Sequence, residues 1–235
     1  MEYLRYLNVA AHPDDLDFGV AGTTTTLTAE GHEVVYCIVT DGRSGGSDQT
    51  MSRDEMGEIR QAEQKAAAKV VGVSEIHFLD FLDGAVEPNL ELRKAITRII
   101  RLVRPDRVIT QSPIRNLASM YGSHPDHLAT GEATLNAVYP DARNPFAFPE
   151  LLADEGLAAH TVSQTWLMSG PEADRFIDIS AVIETKIEAL LCHQSQISDP
   201  EAITKVLTEW GERNAAAAGW EPPRLAEAFR VLETG

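Results

Sequence analysis

Strand-like and helix-like segments alternate from residue 4 to residue 112, and this alternation is the strongest constraint on the fold. Residues 4–12 (LRYLNVAAH) are mostly apolar without alternation, which is typical of a strand buried on both faces. Further strands are predicted at residues 32–40, 75–81 and 106–112, and helices at residues 22–31, 52–71 and 89–105. Such a chain forms a mostly parallel sheet with helices on both faces. We therefore predict a Rossmann-like α/β fold.

The second half of the chain is less regular. A loop rich in proline and aromatic residues is predicted at residues 139–150. Two strands follow at residues 161–169 and 175–179, and two helices at residues 181–193 and 201–218. No linker, low-complexity tract or internal repeat separates the two halves in the sequence. We predict one domain over residues 1–235, with a Rossmann-like core (1–135) and a part (136–235) that extends the sheet and forms the rim of a pocket.

The charge balance limits the classes of partner. Acidic residues outnumber basic ones by 36 to 20, and a net charge of −16 repels nucleic acid and anionic lipid surfaces. No run of about 18 or more apolar residues is present to span a bilayer. Glu2 and Arg5 interrupt the short apolar start, and Cys37 and Cys192 lie in apolar segments as buried thiols would. We predict a cytoplasmic protein with no nucleic-acid or membrane partner.

Histidine and aspartate residues cluster after two of the predicted strands. AHPDD (residues 11–15) follows the first strand, and HPDH (residues 124–127) follows the fourth. Parallel strands end at one edge of a sheet, where ligands bind, so we expect these segments to meet. Catalytic zinc typically takes three nitrogen or oxygen ligands and leaves a fourth position for water. The pattern indicates a metal site, whereas the alternative is that these side chains only cap helices and turns.

These motifs resemble those of the PIG-L/LmbE family of zinc-dependent N-acetylglucosaminyl deacetylases. Besides AHPDD and HPDH, the similar elements are GT at residues 22–23, TDG at 40–42, RQAE at 60–63 and VGV at 71–73. The resemblance covers most of the chain. One departure is that many members have glutamate directly after the two aspartates, whereas this chain has Leu16 followed by Asp17.

The resemblance implies roles for the residues of both motifs. The implied metal ligands are His12, Asp15 and His127. Asp14 matches the general base of the family, and His124 matches its second histidine, which assists at the developing oxyanion or the leaving amine. Asp126 is placed to hydrogen-bond an imidazole and fix its tautomer or pKa. The expected cofactor is one Zn²⁺ per chain, with another divalent metal such as Fe²⁺ as the alternative.

Four further residues are candidates for contacts behind the metal ligands or with substrate. Arg60 matches an arginine that lines the substrate site in the family, although with Glu63 it also forms a pair typical of a solvated helix face. Asp41 lies in a glycine-rich loop at the expected sheet edge, and Arg115 follows the fourth strand. His193 closes a predicted helix and is a candidate for the pocket rim.

We therefore expect a hydrolase that removes an acetyl or other acyl group from the amide nitrogen of an N-acetylglucosamine-type conjugate. The alternative within the family is a zinc amidase acting on a thiol conjugate such as a mycothiol S-conjugate. A nucleotide-binding Rossmann protein is less favoured because the chain lacks the spacing G-x-G-x-x-G and a GK[ST] phosphate loop. The expected partner is a small N-acylated sugar conjugate, and relatives suggest a homo-oligomer, a trimer or a hexamer.

Overall fold

The computed structural model describes residues 3–46, 48, 50–117 and 120–235, and in these ranges seven strands form a single sheet. The strands are β1 (Arg5–Ala10), β2 (Glu33–Thr40), β3 (Glu75–Phe81), β4 (Arg107–Gln111), β5 (Gln164–Met168), β6 (Arg175–Asp178) and β7 (Ala226–Glu233). The α-helices are α1 (Asp15–Ala29), α2 (Arg53–Val70), α3 (Leu90–Val103), α4 (Pro125–Asn136), α5 (Glu150–Ala153), α6 (Ile183–Leu191) and α7 (Pro200–Ala217).

The order of the strands is β3-β2-β1-β4-β5-β7-β6. The first five strands in this order pair in parallel, and β7 pairs antiparallel with both β5 and β6. The C-terminal half therefore extends the sheet begun by the N-terminal half. This arrangement confirms the predicted Rossmann-like, mostly parallel α/β fold. No helix in the described part of the chain is long and apolar enough to cross a membrane.

Two hydrophobic clusters cover the two faces of the sheet. Neighbouring residues of β1 alternate between them, since Tyr6 packs in one cluster and Leu7 in the other. The second cluster includes the apolar face of α3, where Ile96 and Ile100 are fully buried. Burial on both faces explains why the central strands are continuously apolar.

The first helix begins earlier than the sequence predicts. It starts at Asp15 rather than near residue 22, directly after the turn that follows β1. The polar and glycine-rich start of α1 is typical of a loop, but Asp17 is fully buried and accepts a hydrogen bond from Gln64 Nε2 at 2.8 Å. Tertiary contacts therefore stabilise a turn of helix that local propensity does not favour.

One glycine allows α4 to approach the carboxyl end of β4. A Cβ atom on Gly131 would lie 2.3 Å from the carbonyl oxygen of Gln111, so a larger residue would force the helix away. The close approach brings the start of α4, with the second His-Pro-Asp segment, to the edge of the sheet where β1 ends.

Candidate active site

Three imidazole rings meet at the carboxyl edge of the sheet. His12 follows β1, and His124 and His127 lie at the start of α4. Their ring centroids are 5.0 to 5.4 Å apart. The fold thus brings together the two segments that the sequence places after the first and fourth strands.

Three side chains place potential metal-binding atoms within hydrogen-bond distance of one another. His12 Nδ1 lies 3.2 Å from His127 Nε2 and 3.3 Å from Asp15 Oδ2. His127 Nε2 lies 3.0 Å from Asp15 Oδ1. We call His12, Asp15 and His127 the donor triangle. A tetrahedral zinc ion with bonds of about 2.0–2.2 Å separates its ligand atoms by about 3.3 Å, which matches this spacing.

The opposite nitrogen of His12 is held by two carboxylates. Asp83 Oδ1 and Asp126 Oδ2 each lie 3.1 Å from His12 Nε2. In the neutral form that a metal ion requires, the ring carries its proton on Nε2, because carboxylates accept hydrogen bonds, and the lone pair of Nδ1 faces the triangle. A histidine that binds a metal commonly donates its other N–H to a carboxylate in this way. The arrangement around His12 therefore fits a ligand of a metal ion.

The backbone fixes both carboxylates. Asp126 is almost fully buried and accepts hydrogen bonds from the backbone N–H groups of Gly84 and Val86. Asp83 accepts one from Ser44 N at 2.7 Å. Asp83 lies outside both His-Pro-Asp motifs, and its position two residues after β3 places it at the same edge of the sheet.

The charge around the triangle favours a cation. Burial disfavours the imidazolium, but nearby carboxylates, led by Asp15, outweigh burial and raise the pKa of His12 to about 12. Burial acts to raise the pKa of Asp83. The contact with His12 opposes burial and is the main influence that lowers this pKa to about 2. The nitrogen and oxygen donors, with an excess of negative charge, fit a divalent cation such as Zn²⁺.

Asp14 lies beside the triangle but outside it. Its backbone has a φ of 91°, a left-handed conformation that is uncommon for a residue other than glycine. Its backbone N–H donates to Gln64 Oε1 at 2.9 Å, and its carboxylate accepts a hydrogen bond from Arg60 Nη2 at 2.9 Å. Burial raises the pKa of Asp14 to about 6 even though the Arg60 charge opposes this shift.

Arg60 and Asp41 have protein partners at this edge. Arg60 is buried and also donates to the backbone carbonyls of Pro13 and Gly42, so it ties the loop after β1 to the loop after β2. Asp41 is buried and forms an ion pair with Arg43 at 2.6 Å. A cavity opens beside the triangle, and neither Arg60 nor Asp41 is among the described residues that line it.

His124 is the N-cap of α4. Its Nδ1 accepts a hydrogen bond from the backbone N–H of Asp126 at 3.2 Å, so the neutral ring carries its proton on Nε2. Burial and the nearby His12 lower the pKa of His124, which favours this neutral form at pH 7. The side chain is exposed and can donate from Nε2 to a bound molecule.

The remaining two candidates form hydrogen bonds with residues outside the triangle. Arg115 is exposed and donates to the carbonyl of Ser123 at 3.2 Å. His193 is fully buried rather than at the rim, and its Nε2 lies 2.8 Å from Asp17 Oδ2. Asp17 in turn accepts from Gln64, which holds the backbone of Asp14, so His193 is linked to the site through two side chains.

A cavity of about 750 Å³ opens beside the donor triangle, and we call it the site cavity. Asp14, Asp15 and His127 line one side of it. The side chains of α7 that line it are Ile203, Val206, Trp210, Arg213 and Asn214. The sequence predicts the helix but not this function of it, because no motif distinguishes its cavity-facing residues.

Comparison with known proteins identifies the family. Residues 7–138 match the PIG-L family model, described as GlcNAc-PI de-N-acetylase. The chain belongs to the PIG-L family. The resemblance seen in AHPDD and HPDH is therefore confirmed, and the match covers the Rossmann-like core that carries both segments.

Relatives within the family are similar over most of the chain. Diacetylchitobiose deacetylase of Thermococcus kodakarensis is 35% identical over 195 residues, which cover 83% of this chain and 71% of the relative. The probable N-acetyl-alpha-D-glucosaminyl L-malate deacetylase 2 of Bacillus anthracis is 27% identical over 221 residues, which cover 91% of this chain and 90% of the relative. The structure of N,N'-diacetylchitobiose deacetylase from Pyrococcus horikoshii has a TM-score of 0.90 and 30% identity, and covers 99% of this chain and 85% of that one.

Proposed function

We propose that this protein is a metal-dependent N-deacetylase that hydrolyses the acetamide of an N-acetylglucosamine conjugate. The observation that carries the proposal is the donor triangle beside a cavity, with the Asp14 carboxylate next to the triangle and outside it. The names of the PIG-L relatives, which are deacetylases of N-acetylated sugars, support the same reaction.

His12, Asp15 and His127 would hold one divalent cation, for which Zn²⁺ is our proposal and Fe²⁺ the alternative. Both metals accept imidazole and carboxylate ligands. When bound, such a cation lowers the pKa of a coordinated water and polarises a carbonyl oxygen. Asp83 and Asp126 would keep His12 oriented, because both lie against the Nε2 that faces away from the triangle.

Asp14 is proposed as the general base that takes the proton of the attacking water. A carboxylate with a pKa raised to about 6 accepts a proton more readily than an ordinary aspartate and is still ionised at pH 7. Arg60 and Gln64 fix its side chain and backbone, respectively. This placement reduces the reorganisation needed when the proton moves.

His124 is proposed to donate a hydrogen bond from Nε2 to the developing oxyanion or to the leaving nitrogen. The N-cap contact commits its Nδ1 to the Asp126 N–H, which leaves Nε2–H as the free donor. A fixed donor at the point where negative charge develops stabilises the transition state more than the ground state.

The test combines metal analysis with product analysis. Purified protein is assayed for bound metal and for release of amine and acetate from a panel of N-acetylglucosamine conjugates that also includes a thiol-conjugate amide. We expect about one equivalent of zinc per chain, equal amounts of acetate and free amine, loss of turnover after chelation, and recovery when zinc is restored. Absence of acetate release by the metal-loaded protein from every conjugate would overturn the proposal.

Two further proposals concern the setting of the enzyme. We propose a cytoplasmic location, which the free thiols Cys37 and Cys192 support. We also propose a homo-oligomer, a trimer or a hexamer. Cell fractionation and sedimentation test these two proposals.

A further inference from the structure

One face of α7 lines the site cavity together with residues of the donor triangle. Val206, Trp210 and Arg213 are spaced by three or four residues, so they share a face of the helix. Ligand pockets in proteins have volumes of about 300–1,000 Å³. At about 750 Å³ the site cavity has room for more than the reacting acetamido group. The part of a conjugate beyond the reacting sugar, the aglycone, would therefore lie against α7.

Arg213 differs from the other arginines near the site. It is the single lysine or arginine among the described residues that line the cavity. Arg43 is paired with Asp41, and Arg60 with Asp14. Within the described part of the chain, no carboxylate lies within ion-pair distance of the Arg213 guanidinium, and Glu209 on the same helix pairs instead with Lys205 at 3.8 Å. In a chain with 36 acidic residues, the guanidinium of Arg213 stays available to a ligand.

The triangle and α7 carry charges of opposite sign at the cavity. The carboxylates around the triangle are those of Asp14, Asp15, Asp83 and Asp126. Their four negative charges exceed by one the two positive charges of a divalent cation together with the charge of Arg60, which is paired with Asp14. An anionic group on the substrate is therefore repelled from the triangle and attracted to α7, which orients the opposite end of the substrate toward the triangle.

We propose that Arg213 binds a carboxylate or phosphate on the aglycone, and that the enzyme consequently selects anionic conjugates of N-acetylglucosamine over neutral ones. This inference rests on the proposed deacetylase function. The planar guanidinium pairs with two oxygens of such a group at once. Trp210, one turn earlier on the same face, supplies a flat apolar surface for the uncharged part of the substrate.

The test compares three conjugates in the zinc-loaded protein. N-acetylglucosaminyl malate carries carboxylates, N-acetylglucosamine 1-phosphate carries a phosphate, and N,N'-diacetylchitobiose is neutral. We measure kcat and KM for amine release with wild-type protein, Arg213→Gln, Arg213→Lys and the control Lys205→Gln. Lys205 is a suitable control because it is exposed on the same helix and is not among the described residues that line the cavity.

For the wild type we expect kcat/KM for at least one anionic conjugate to exceed that for the neutral conjugate by about tenfold. Arg213→Gln should lower this ratio by about tenfold, mainly through KM, and Arg213→Lys should retain part of it. In Lys205→Gln the ratio should stay within about twofold of wild type. The anionic conjugate whose kcat/KM falls most in Arg213→Gln shows whether carboxylate or phosphate is recognised.

Two results overturn the inference while leaving the deacetylase function intact. One is an unchanged ratio in Arg213→Gln, and the other is a wild-type preference for the neutral conjugate. Absence of amine release from all three conjugates would count against the proposed function, and the inference would fail with it. Because Arg213 is exposed, Arg213→Gln is expected to fold, which its thermal unfolding curve checks.

Discussion

The chain contains the tripeptide His-Pro-Asp twice at one edge of the sheet, and the two copies use the same residues in opposite ways. In the first copy, His12 points into the donor triangle and is mostly buried, while the Asp14 carboxylate lines the cavity. In the second copy, the histidine, His124, is exposed, and the aspartate, Asp126, is buried behind His12. The aspartate of the second copy thus supports the histidine of the first.

Backbone geometry explains the exchange. The first copy follows a strand, and the φ of 91° at Asp14 turns the chain sharply so that α1 begins at the next residue. The second copy starts a helix, with His124 at the N-cap and Pro125 in the first turn, and its aspartate therefore faces the protein interior. An identical tripeptide acquires two functions because the flanking secondary structure differs.

The largest expected effect separates the two histidines. His12→Ala removes a corner of the triangle and leaves two buried carboxylates, Asp83 and Asp126, without their imidazole partner. We expect loss of bound zinc and of measurable turnover. In the matched variant His124→Ala, zinc should stay bound, because the exposed ring lies outside the triangle. Metal content after desalting, read beside kcat, distinguishes these outcomes, and loss of zinc from His124→Ala would mean that this ring is also a ligand.

The next effect concerns the aspartate of the first copy. Asp14→Asn keeps the size of the side chain and an oxygen that can accept from Arg60, but it removes the base. We expect kcat to fall by about 10²–10⁴-fold, the usual contribution of a general base, with zinc content unchanged. Activity within a few-fold of wild type would show that another group takes the proton.

The sequence predicts the parts of this site that lie within contiguous motifs. Strand and helix order places His12 and His127 at one edge, and the structure brings their nitrogens to 3.2 Å. Asp83 escapes prediction because a single aspartate in a loop is indistinguishable from an ordinary turn residue. Its contact with His12 arises from the pairing of β1, β2 and β3, which places the ends of nonadjacent segments together.

The strand β7 escapes prediction for a different physical reason. Its sequence carries Glu227 toward the interior, which breaks the apolar alternation expected of a strand. That glutamate pairs with Lys186, and both side chains are buried. A pattern based on hydrophobicity cannot anticipate a buried ion pair whose two members come from separate elements.

A smaller effect is expected at the aspartate of the second copy. Asp126→Asn weakens the hydrogen bond to His12 Nε2 without touching the triangle. Loss of such a supporting carboxylate typically lowers metal affinity by about 10–100-fold. We expect zinc affinity to fall in this range, with kcat near wild type once zinc is saturating. A large fall in kcat at saturating zinc would instead assign Asp126 a direct part in the reaction.

The smallest effect tests whether Asp83 and Asp126 both hold His12 in place. Both carboxylates lie 3.1 Å from His12 Nε2, but the single N–H of the neutral ring cannot bond fully to both at once. In Asp83→Asn, Asp126 still accepts that N–H, so we expect zinc affinity to fall only about threefold, less than in Asp126→Asn. In the double variant of Asp83→Asn and Asp126→Asn, no carboxylate remains at Nε2 to fix the tautomer of His12. The fold-loss of zinc affinity should then exceed the product of the two single fold-losses. Competition with a chromophoric chelator measures all three variants. Equal losses in the single variants, or a double loss equal to their product, would show that each carboxylate acts alone.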